Sequence, residues 1–237
     1  MTEPSIYYPE QLKGRQLDAF LERGWYRMFQ SLFTTHFITE QDRLYRVFWL
    51  RYNILSIRFS RRLRLLMQNN SRFSHSIKPT EVNEEVEALY ALYKTGIDFD
   101  PASSVQQWLF GDSQANVFDS YMVEVRDKDL LIAVGVFDKG EKSIAGIMNF
   151  YHPAYKKCSP GKYLMLLKMQ YAIAHKLQWY YPGYIIYGYS KFDYKLFADK
   201  DAAEIYIPEL NSWLNYAPSV MDAVERADLT GEEDISQ

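Results

Sequence analysis

Six tyrosines and two lysines lie within residues 180–195. The first half of this segment is rich in aromatic and β-branched residues, which predicts a β-strand. After Gly188 the chain presents Lys191, Tyr194 and Lys195 at short spacing. Phenol groups donate hydrogen bonds and offer stacking faces, and ammonium groups neutralise phosphate. The segment is therefore typical of a site for a polyanion with unstacked bases, although a tyrosine-rich strand followed by a solvated turn has the same composition.

Pro182 and Gly183 interrupt the predicted strand between Tyr181 and Tyr184. Proline cannot donate to a strand ladder and glycine weakens it, so a β-bulge is expected at this point. A bulge near the centre of a strand can open a cleft beside it. Tyr181, Gly183 and Tyr184 are therefore candidate site residues, together with the lysines that follow.

The charges are distributed unevenly along the chain, although the net charge is only −3. No Asp or Glu occurs from Arg43 to Thr80, a stretch that holds eight arginines and one lysine. The last part of the chain, from Asp222 to Asp234, is acidic. This asymmetry favours a polyanion-binding face. The alternative is that the arginines form ion pairs with acidic neighbours in residues 81–87.

The bulk composition indicates a folded protein with a real core: 237 residues, 48% of them hydrophobic, and no apolar run long enough to cross a membrane. The first residues lack the features of a secretory signal, and the single Cys158 excludes an intramolecular disulfide or an all-cysteine metal site. We expect a cytoplasmic protein without a metal. The four histidines are scattered, and His152 is the only one worth testing.

Local signals predict several elements before residue 110. Thr80 as cap and a glutamate-rich first turn predict a helix over residues 81–94. Asp100 and Pro101 predict a second helix that runs to Leu109. Leu12–Leu21 could form a short helix, and Arg46–Tyr52 is expected to be a strand. Periodicity does not decide whether Phe59–Gln68 is a helix or a strand.

After residue 119 the pattern predicts three strands, a helix and a further strand. The expected strands are Ser120–Arg126, Leu130–Asp138, Ser143–Tyr151 and Tyr180–Tyr187, and the expected helix is Gly161–Leu177. This β-β-β-α-β order resembles the acyltransferase core of the N-acetyltransferase superfamily. We predict an α/β (α+β) fold with a mixed sheet. Residues 1–95 would form an N-terminal arginine-rich α/β part, and residues 96–237 the core with an acidic C-terminal tail.

Several segments together resemble one family, the arginyl- and leucyl-tRNA–protein transferases. That family carries Tyr-Tyr-Leu-Gly-Tyr-Tyr-Ile followed by Lys-Met-x-Tyr-Lys, and this chain has similar residues at 180–186 and 191–195. Residues 121–138 and 143–153 look like the family's strands, and residues 159–161 look like the start of its central helix. Residues 21–27, which include Arg23-Gly24-Trp25, look like its Arg-Gly-Trp motif. The resemblance covers most of residues 20–210.

The resemblance implies transfer of an amino acid, arginine more than leucine, from aminoacyl-tRNA to proteins that begin with Asp or Glu. The catalytic candidates are then Tyr184, Tyr194 and Lys195. The substrate-binding candidates are Tyr181, Gly183, Lys191, Trp25, Arg126, Arg58, Arg61 and Arg62, of which the arginines suit an acidic acceptor. The partners would be aminoacyl-tRNA and a protein N-terminus, with no membrane and no cofactor. Because the ester is activated, no serine or cysteine nucleophile is needed.

The chain departs from the family pattern in one respect, since it lacks the cysteines that typical members carry after the Arg-Gly-Trp motif. Two alternatives therefore remain open. A coenzyme A N-acetyltransferase is one, although Pro160 removes a backbone amide where that class binds pyrophosphate. A catalytically silent homologue that binds tRNA or protein is the other.

Overall fold

The computed structural model describes residues 5–40, 42–97, 101–113 and 116–230. The strands, in chain order, are β1 (Ser5–Tyr7), β2 (Tyr26–Met28), β3 (Ser31–Thr34), β4 (Phe37–Glu40), β5 (Arg43–Asn53), β6 (Ser74–Pro79), β7 (Ser120–Asp127), β8 (Leu130–Lys139), β9 (Ser143–Tyr151), β10 (Trp179–Ile186), β11 (Ala203–Ile207) and β12 (Ser212–Asn215). The α-helices are α1 (Arg15–Leu21), α2 (Arg61–Asn70), α3 (Glu84–Lys94), α4 (Val105–Phe110), α5 (Pro160–Ala174) and α6 (Pro218–Thr230). Short 3₁₀ helices cover Pro153–Cys158, Ser190–Leu196, Lys200–Ala202 and Pro208–Leu210.

One large mixed sheet organises the protein. Its strand order is β12-β11-β5-β10-β9-β8-β7-β6, with β4 paired to β5. The pairing of β9 with β10 is parallel, and α5 connects these two strands. The other neighbouring pairs along this order are antiparallel. This arrangement confirms the predicted α/β fold and the N-acetyltransferase-like order β7-β8-β9-α5-β10.

Strands from both sides of residue 95 share this sheet. β5 lies between β10 and β11, and β6 pairs with β7 at the edge. A separate small sheet with the order β1-β3-β2 is formed before residue 35. The hydrogen-bonded sheet thus includes strands from both predicted parts of the chain. The domain boundary between residues 95 and 96 stays a prediction.

Alternate residues of the strands pack into separate layers on the two faces of the sheet, as strand geometry requires. On one face Val123 of β7 joins a core cluster with α5, whose Leu164 and Leu167 are fully buried. On the other face the neighbouring Met122 packs in a cluster with Leu89 of α3. The central strands are thus covered on both sides, which explains their continuous apolar sequences.

The predicted helices exist, but two of them begin later than expected. The cap of α3 is Asn83, whose side-chain oxygen accepts a hydrogen bond from the Val86 N–H at 3.0 Å. Thr80 instead donates its N–H to Ser120, so it prolongs the pairing of β6 with β7. The cap of α4 is Ser104, and the predicted cap Asp100 lies outside the described residues.

The two remaining local predictions concern the arginine-rich stretch and the C-terminal tail. Phe59–Gln68, for which periodicity allows either a helix or a strand, overlaps helix α2, and this helix is capped by Ser60. The tail begins as helix α6 (Pro218–Thr230), and the rest of the predicted acidic tail lies outside the described residues.

Candidate active site where two parallel strands part

Strands β9 and β10 run together only briefly and then separate. Their parallel pairing covers Trp179, Tyr180 and Tyr181, and the last pair is Tyr181 with Ala145. β10 pairs with β5 on both sides of the bulge, at Trp179 and Tyr180 and again from Gly183 to Ile186. The register with β5 shifts between Tyr180 and Gly183, which confirms the predicted bulge. We call the place where β9 and β10 part, next to Gly146 and Gly183, the strand opening.

The bulge brings Tyr181 and Tyr184 to the same face of the sheet. Both belong to one aromatic cluster. The ring of Tyr181 meets Trp213 at 5.6 Å, and the ring of Tyr184 meets Trp49 edge-on at 5.2 Å. Tyr184 therefore has a packing role, although no described residue accepts a hydrogen bond from its hydroxyl.

Two further tyrosine hydroxyls lie at the strand opening, both against Gly146. The Tyr26 hydroxyl donates to the Gly146 carbonyl and lies 3.1 Å from the Tyr181 carbonyl, so it connects the two strands as they part. The Tyr180 hydroxyl lies 2.7 Å from the position of a Cβ atom on Gly146, which leaves room only for glycine. Burial raises the pKa of both phenols, and the neighbouring Tyr194 phenol raises it further.

Lys195 is buried at this opening, with only 9% of the residue exposed. Its Nζ atom donates to the Tyr184 carbonyl at 2.8 Å and lies 4.8 Å from the ring centres of Tyr184 and Phe192. Burial lowers the pKa of the Lys195 ammonium to about 7. The alternative of a solvated turn is therefore wrong for this residue, because the 3₁₀ helix Ser190–Leu196 folds its side chain back against β10.

Aromatic residues of the central strands hold the Lys195 segment in place. The Tyr52 hydroxyl on β5 donates to the Lys195 carbonyl at 2.7 Å. Tyr52 also stacks on Tyr180 with ring centres 6.5 Å apart. Tyr194, by contrast, is exposed. The backbone of the segment is thus fixed from the core side, while Tyr194 is partly open to solvent and its ring centre lies 5.9 Å from Lys195 Nζ.

This arrangement can transfer protons near neutral pH. An amine with a pKa close to 7 is present in both protonation states, so it can accept a proton and return it. The phenols around it keep their protons because burial raises their pKa, so each retains an O–H group that can donate a hydrogen bond. The site is suited to acyl transfer without a covalent enzyme intermediate, in which positioning supplies much of the acceleration.

The other predicted site residues are spread over the molecule. Lys191 is exposed and lies 3.8 Å from a Glu40 carboxylate oxygen. Trp25 packs edge-on against Phe20 at 5.7 Å. Arg126 lies between the carboxylates of Glu85 at 2.6 Å and Glu124 at 3.4 Å, so its charge is already matched.

The arginine-rich stretch divides into two groups. Arg46 and Arg51 are buried in β5 and form ion pairs with Glu209 and Glu204. Arg51 is also covered by two tryptophan rings. These pairs join β5 to acids near the C-terminus, not to residues 81–87. Arg58, Arg61 and Arg62 are exposed at the start of α2.

Residues 85–200 match the family model described as "Arginine-tRNA-protein transferase, C terminus". This segment is similar to the aminoacyl-tRNA–protein transferase family. Strands β7 to β10, helix α5 and Lys195 all fall within the matched segment. The resemblance that the sequence motifs indicated is thus confirmed over residues 85–200.

Three relatives illustrate the extent of the likeness. An aspartate/glutamate leucyltransferase of Thiobacillus denitrificans is 30% identical over 142 residues, which are 57% of this chain and 58% of that protein. Arginyl-tRNA–protein transferase 1 of Arabidopsis thaliana is 29% identical over 147 residues, 60% of this chain and 22% of that protein. An aspartate/glutamate leucyltransferase of Leptospira interrogans is 22% identical over 228 residues, 88% of this chain and 86% of that protein. The chain thus spans about three-fifths of the first of these relatives and about a fifth of the second.

The family's Arg-Gly-Trp region and its strand motif meet in a buried ion pair that sequence reasoning missed. Arg27 donates to Asp138 at 2.7 Å, and both side chains are almost fully buried. Arg27 also donates to the Leu109 carbonyl at 2.6 Å, and the Ser120 hydroxyl donates to Asp138 at 2.6 Å. The presence of both residues in the family motifs was the only available signal.

Lys168 is a second residue that sequence reasoning missed. Its Nζ atom donates to the Val136 carbonyl at 2.7 Å and to the Asn149 side chain at 2.9 Å. These contacts lie beside a register shift between β8 and β9 that begins after Val136. Burial lowers the pKa of Lys168 to about 7. The signal in the sequence was the position of this lysine inside the apolar run of α5.

The described residues were compared with the requirements of a metal site, a membrane-spanning helix and a pyrophosphate-binding turn. No three His, Cys, Asp or Glu side chains converge there in a way that could hold a metal ion. No helix among these residues is long and apolar enough to cross a membrane. Pro160 is the first residue of α5, where it lacks the N–H that a pyrophosphate-binding turn would use.

Proposed function

We propose that this protein transfers an aminoacyl group from aminoacyl-tRNA to the α-amino group at the N-terminus of a protein. The observation that carries the proposal is Lys195, buried at the strand opening with a pKa of about 7. The family match supports the same reaction class, since it includes this lysine and both strands that part.

The proposed step forms one bond and breaks one. The nitrogen of the acceptor amine attacks the carbonyl carbon of the ester, and the bond from that carbon to the ribose oxygen breaks. The nitrogen loses a proton and the ribose oxygen gains one. Lys195 accepts the first and supplies the second, and a tyrosine hydroxyl at the opening donates a hydrogen bond to the leaving oxygen. Free α-amines titrate at about 7.7–8.0, so a neutral fraction of the acceptor exists at the working pH.

We propose arginine as the transferred amino acid. A cavity of about 310 Å³ lies beside the end of β10, and its walls include Tyr187, Tyr189, Tyr216, Asp193 and Asp222. Carboxylates and tyrosine rings together favour a guanidinium group, through charge and through cation–π contact. Asp193 lies in the same 3₁₀ helix as Lys195, which supports a role for this cavity close to the reaction.

We propose proteins that begin with Asp or Glu as the acceptors. The support is the naming of two relatives as aspartate/glutamate leucyltransferases. Arg126 is a poor candidate for recognition of the acceptor carboxylate, since Glu85 and Glu124 already surround it.

A transfer assay tests the proposal. Radiolabelled Arg-tRNA and Leu-tRNA are each incubated with reporters that are identical except for an N-terminal Asp, Glu or Lys. We expect label from Arg-tRNA on the Asp and Glu reporters. Label from Leu-tRNA alone would overturn the choice of arginine and leave the reaction class intact.

The same assay includes the two alternative functions. A reaction with labelled acetyl-coenzyme A and no tRNA would identify an N-acetyltransferase. Binding of tRNA without transfer from any charged tRNA would identify a catalytically silent homologue. Either result would contradict the proposed function.

A further inference from the structure

A second long segment of this chain also lacks acidic residues. No Asp or Glu occurs between Glu141 and Asp193, just as none occurs from Arg43 to Thr80. The second segment includes the 3₁₀ helix Pro153–Cys158 and helix α5, and it carries Lys156, Lys157 and Lys162. Two acid-free segments far apart in sequence thus contribute to one fold.

The fold packs these two segments against each other. Helix α2 contacts both α5 and the 3₁₀ helix Pro153–Cys158. The Asn70 side chain donates to the Cys158 carbonyl at 3.1 Å, and the Arg72 guanidinium lies 3.7 Å from the Cys158 sulfur. The cations of both segments therefore lie on adjoining elements.

We call this the α2–α5 basic surface; its exposed members are Arg58, Arg61, Arg62, Arg64, Arg72, Lys156 and Lys157. Within the described residues none of these side chains forms an ion pair with a carboxylate, unlike Arg46, Arg51 and Arg126. Three of the arginines lie in the first turns of α2, at the positive end of the helix dipole. That placement disfavours folding, so it points to an external anion.

The basic surface borders the segment that carries Lys195. The Arg58 N–H donates to the Asp199 carboxylate at 2.7 Å, four residues after Lys195. The Lys162 ammonium lies 5.8 Å from the ring centre of Phe197, two residues after Lys195. A polyanion on this surface would therefore lie next to the strand opening.

We propose that the α2–α5 basic surface binds the phosphates of a double-stranded RNA stem; resting on the proposed function, that stem is the acceptor stem of the donor tRNA. The surface offers long flexible cations from two elements, which match a repeating phosphate backbone read by charge and shape. The tyrosines that can stack on unpaired bases lie apart from it, at the strand opening. In this arrangement the stem binds to the cations of the surface, and the single-stranded end reaches Lys195.

Binding of uncharged tRNA and of a hairpin of its acceptor stem tests the inference, because neither measurement requires transfer. Fluorescence anisotropy is recorded over a range of salt concentrations for the native chain and for Arg61→Gln/Arg62→Gln/Arg64→Gln. We expect the triple variant to bind both RNAs at least about tenfold more weakly. The slope of log K against log salt should become shallower by about one for each phosphate that the variant no longer neutralises.

A control variant removes the same charge elsewhere. Lys13→Gln/Lys128→Gln/Lys176→Gln changes three exposed lysines outside the surface, and it should retain native affinity and salt slope. Circular dichroism confirms that both variants are folded. Equal decreases in affinity for the two triple variants would mean that net charge alone controls binding, and this would overturn the inference.

Further outcomes separate this inference from the proposed function. If the variant with substitutions in α2 binds both RNAs with native affinity but needs more Asp reporter than the native chain for half-maximal transfer, the surface serves the acidic acceptor and the inference fails. If a single-stranded oligonucleotide with the tRNA's 3′ sequence loses affinity while the stem hairpin does not, the assignment to a stem fails. If the RNA results are as expected but the native chain transfers nothing, the surface stands and the proposed function fails.

Discussion

The Nζ atom of Lys195 lies 3.1 Å from the position that a Cβ atom would take on Gly183. Gly183 also has a φ of +103°, a conformation that side chains disfavour. The two residues belong to different halves of the segment formed by residues 180–195, and they meet because the bulge in β10 opens a space beside the strand. The glycine therefore both permits the bulge and leaves room for the ammonium group.

Substitution Gly183→Ala should destabilise the protein by about 1–3 kcal/mol through backbone strain and displacement of the lysine. Gly188→Ala is the matched control, since Gly188 has a φ of +69° and open space where a Cβ would lie. Denaturant unfolding measures both. We expect the Gly183 variant to lose more stability and also to lose transfer activity. Equal destabilisation of the two variants would mean that the contact with Lys195 is unimportant.

Replacement of Lys195 by methionine keeps most of the side-chain volume and removes the proton carrier. The rate of transfer at saturating tRNA should fall about a hundredfold or more. Lys191→Met removes an exposed lysine instead, and it should chiefly raise the concentration of tRNA that is needed. Steady-state kinetics separate the two effects. A native turnover rate in the Lys195 variant would exclude this lysine from the chemistry.

The hydroxyls of Tyr184 and Tyr26 should behave differently when removed. Tyr184→Phe should leave stability unchanged, because no described residue accepts its hydrogen bond, and it should slow transfer by loss of a donor to the leaving oxygen. Tyr26→Phe removes a hydrogen bond to the Gly146 carbonyl and should cost about 1 kcal/mol of stability. Thermal unfolding and the transfer assay give the comparison. An unchanged rate in Tyr184→Phe would assign this ring to packing alone.

The stability of the protein should rise as the pH increases above about 7. Burial lowers the pKa of Lys168 and of Lys195 to about 7, whereas an unfolded lysine titrates near 10.5. Between these values the unfolded chain binds more protons, so the free energy of unfolding increases with pH. Each lysine can contribute up to about 1.4 kcal/mol per pH unit.

Urea unfolding at pH 7, 8 and 9 measures this slope. Lys168→Met should make the slope shallower, whatever its effect on absolute stability. An unchanged slope in that variant would show that Lys168 keeps an ordinary pKa in the folded protein. Lys195→Met offers the same comparison at the strand opening.

Disruption of the buried pair of Arg27 and Asp138 should be strongly destabilising. Arg27→Met leaves an unpaired carboxylate in the core and should cost about 3–5 kcal/mol. Arg15→Met removes a partner of Glu141 on the surface and should have no measurable effect, since exposed pairs contribute little. Chemical unfolding of both variants gives the comparison. Similar stabilities would mean that Asp138 takes up a proton or reaches water when Arg27 is absent.

Local patterns in the sequence were sufficient for the order of elements in the core. Alternation predicted β7, tight turns before the next two segments predicted β8 and β9, and the apolar pattern of residues 161–177 predicted the connecting helix. Pro182 and Gly183 predicted the bulge because their backbone chemistry disfavours a regular ladder. The starts of α3 and α4 were predicted too early, since Asn83 and Ser104 compete with other capping residues nearby in sequence.

The sequence by itself determined the fold order, the bulge and the family motifs, because each depends on residues close together along the chain. Only the tertiary structure decided the state of individual charges. Tyr52, 143 residues away, holds the backbone of the buried Lys195. Arg46 and Arg51 are paired with acids more than 150 residues away, and the arginines of α2 remain exposed. Burial and ion pairing arise from contacts between distant segments, so the same residue type can become a structural partner, a proton carrier or a surface cation.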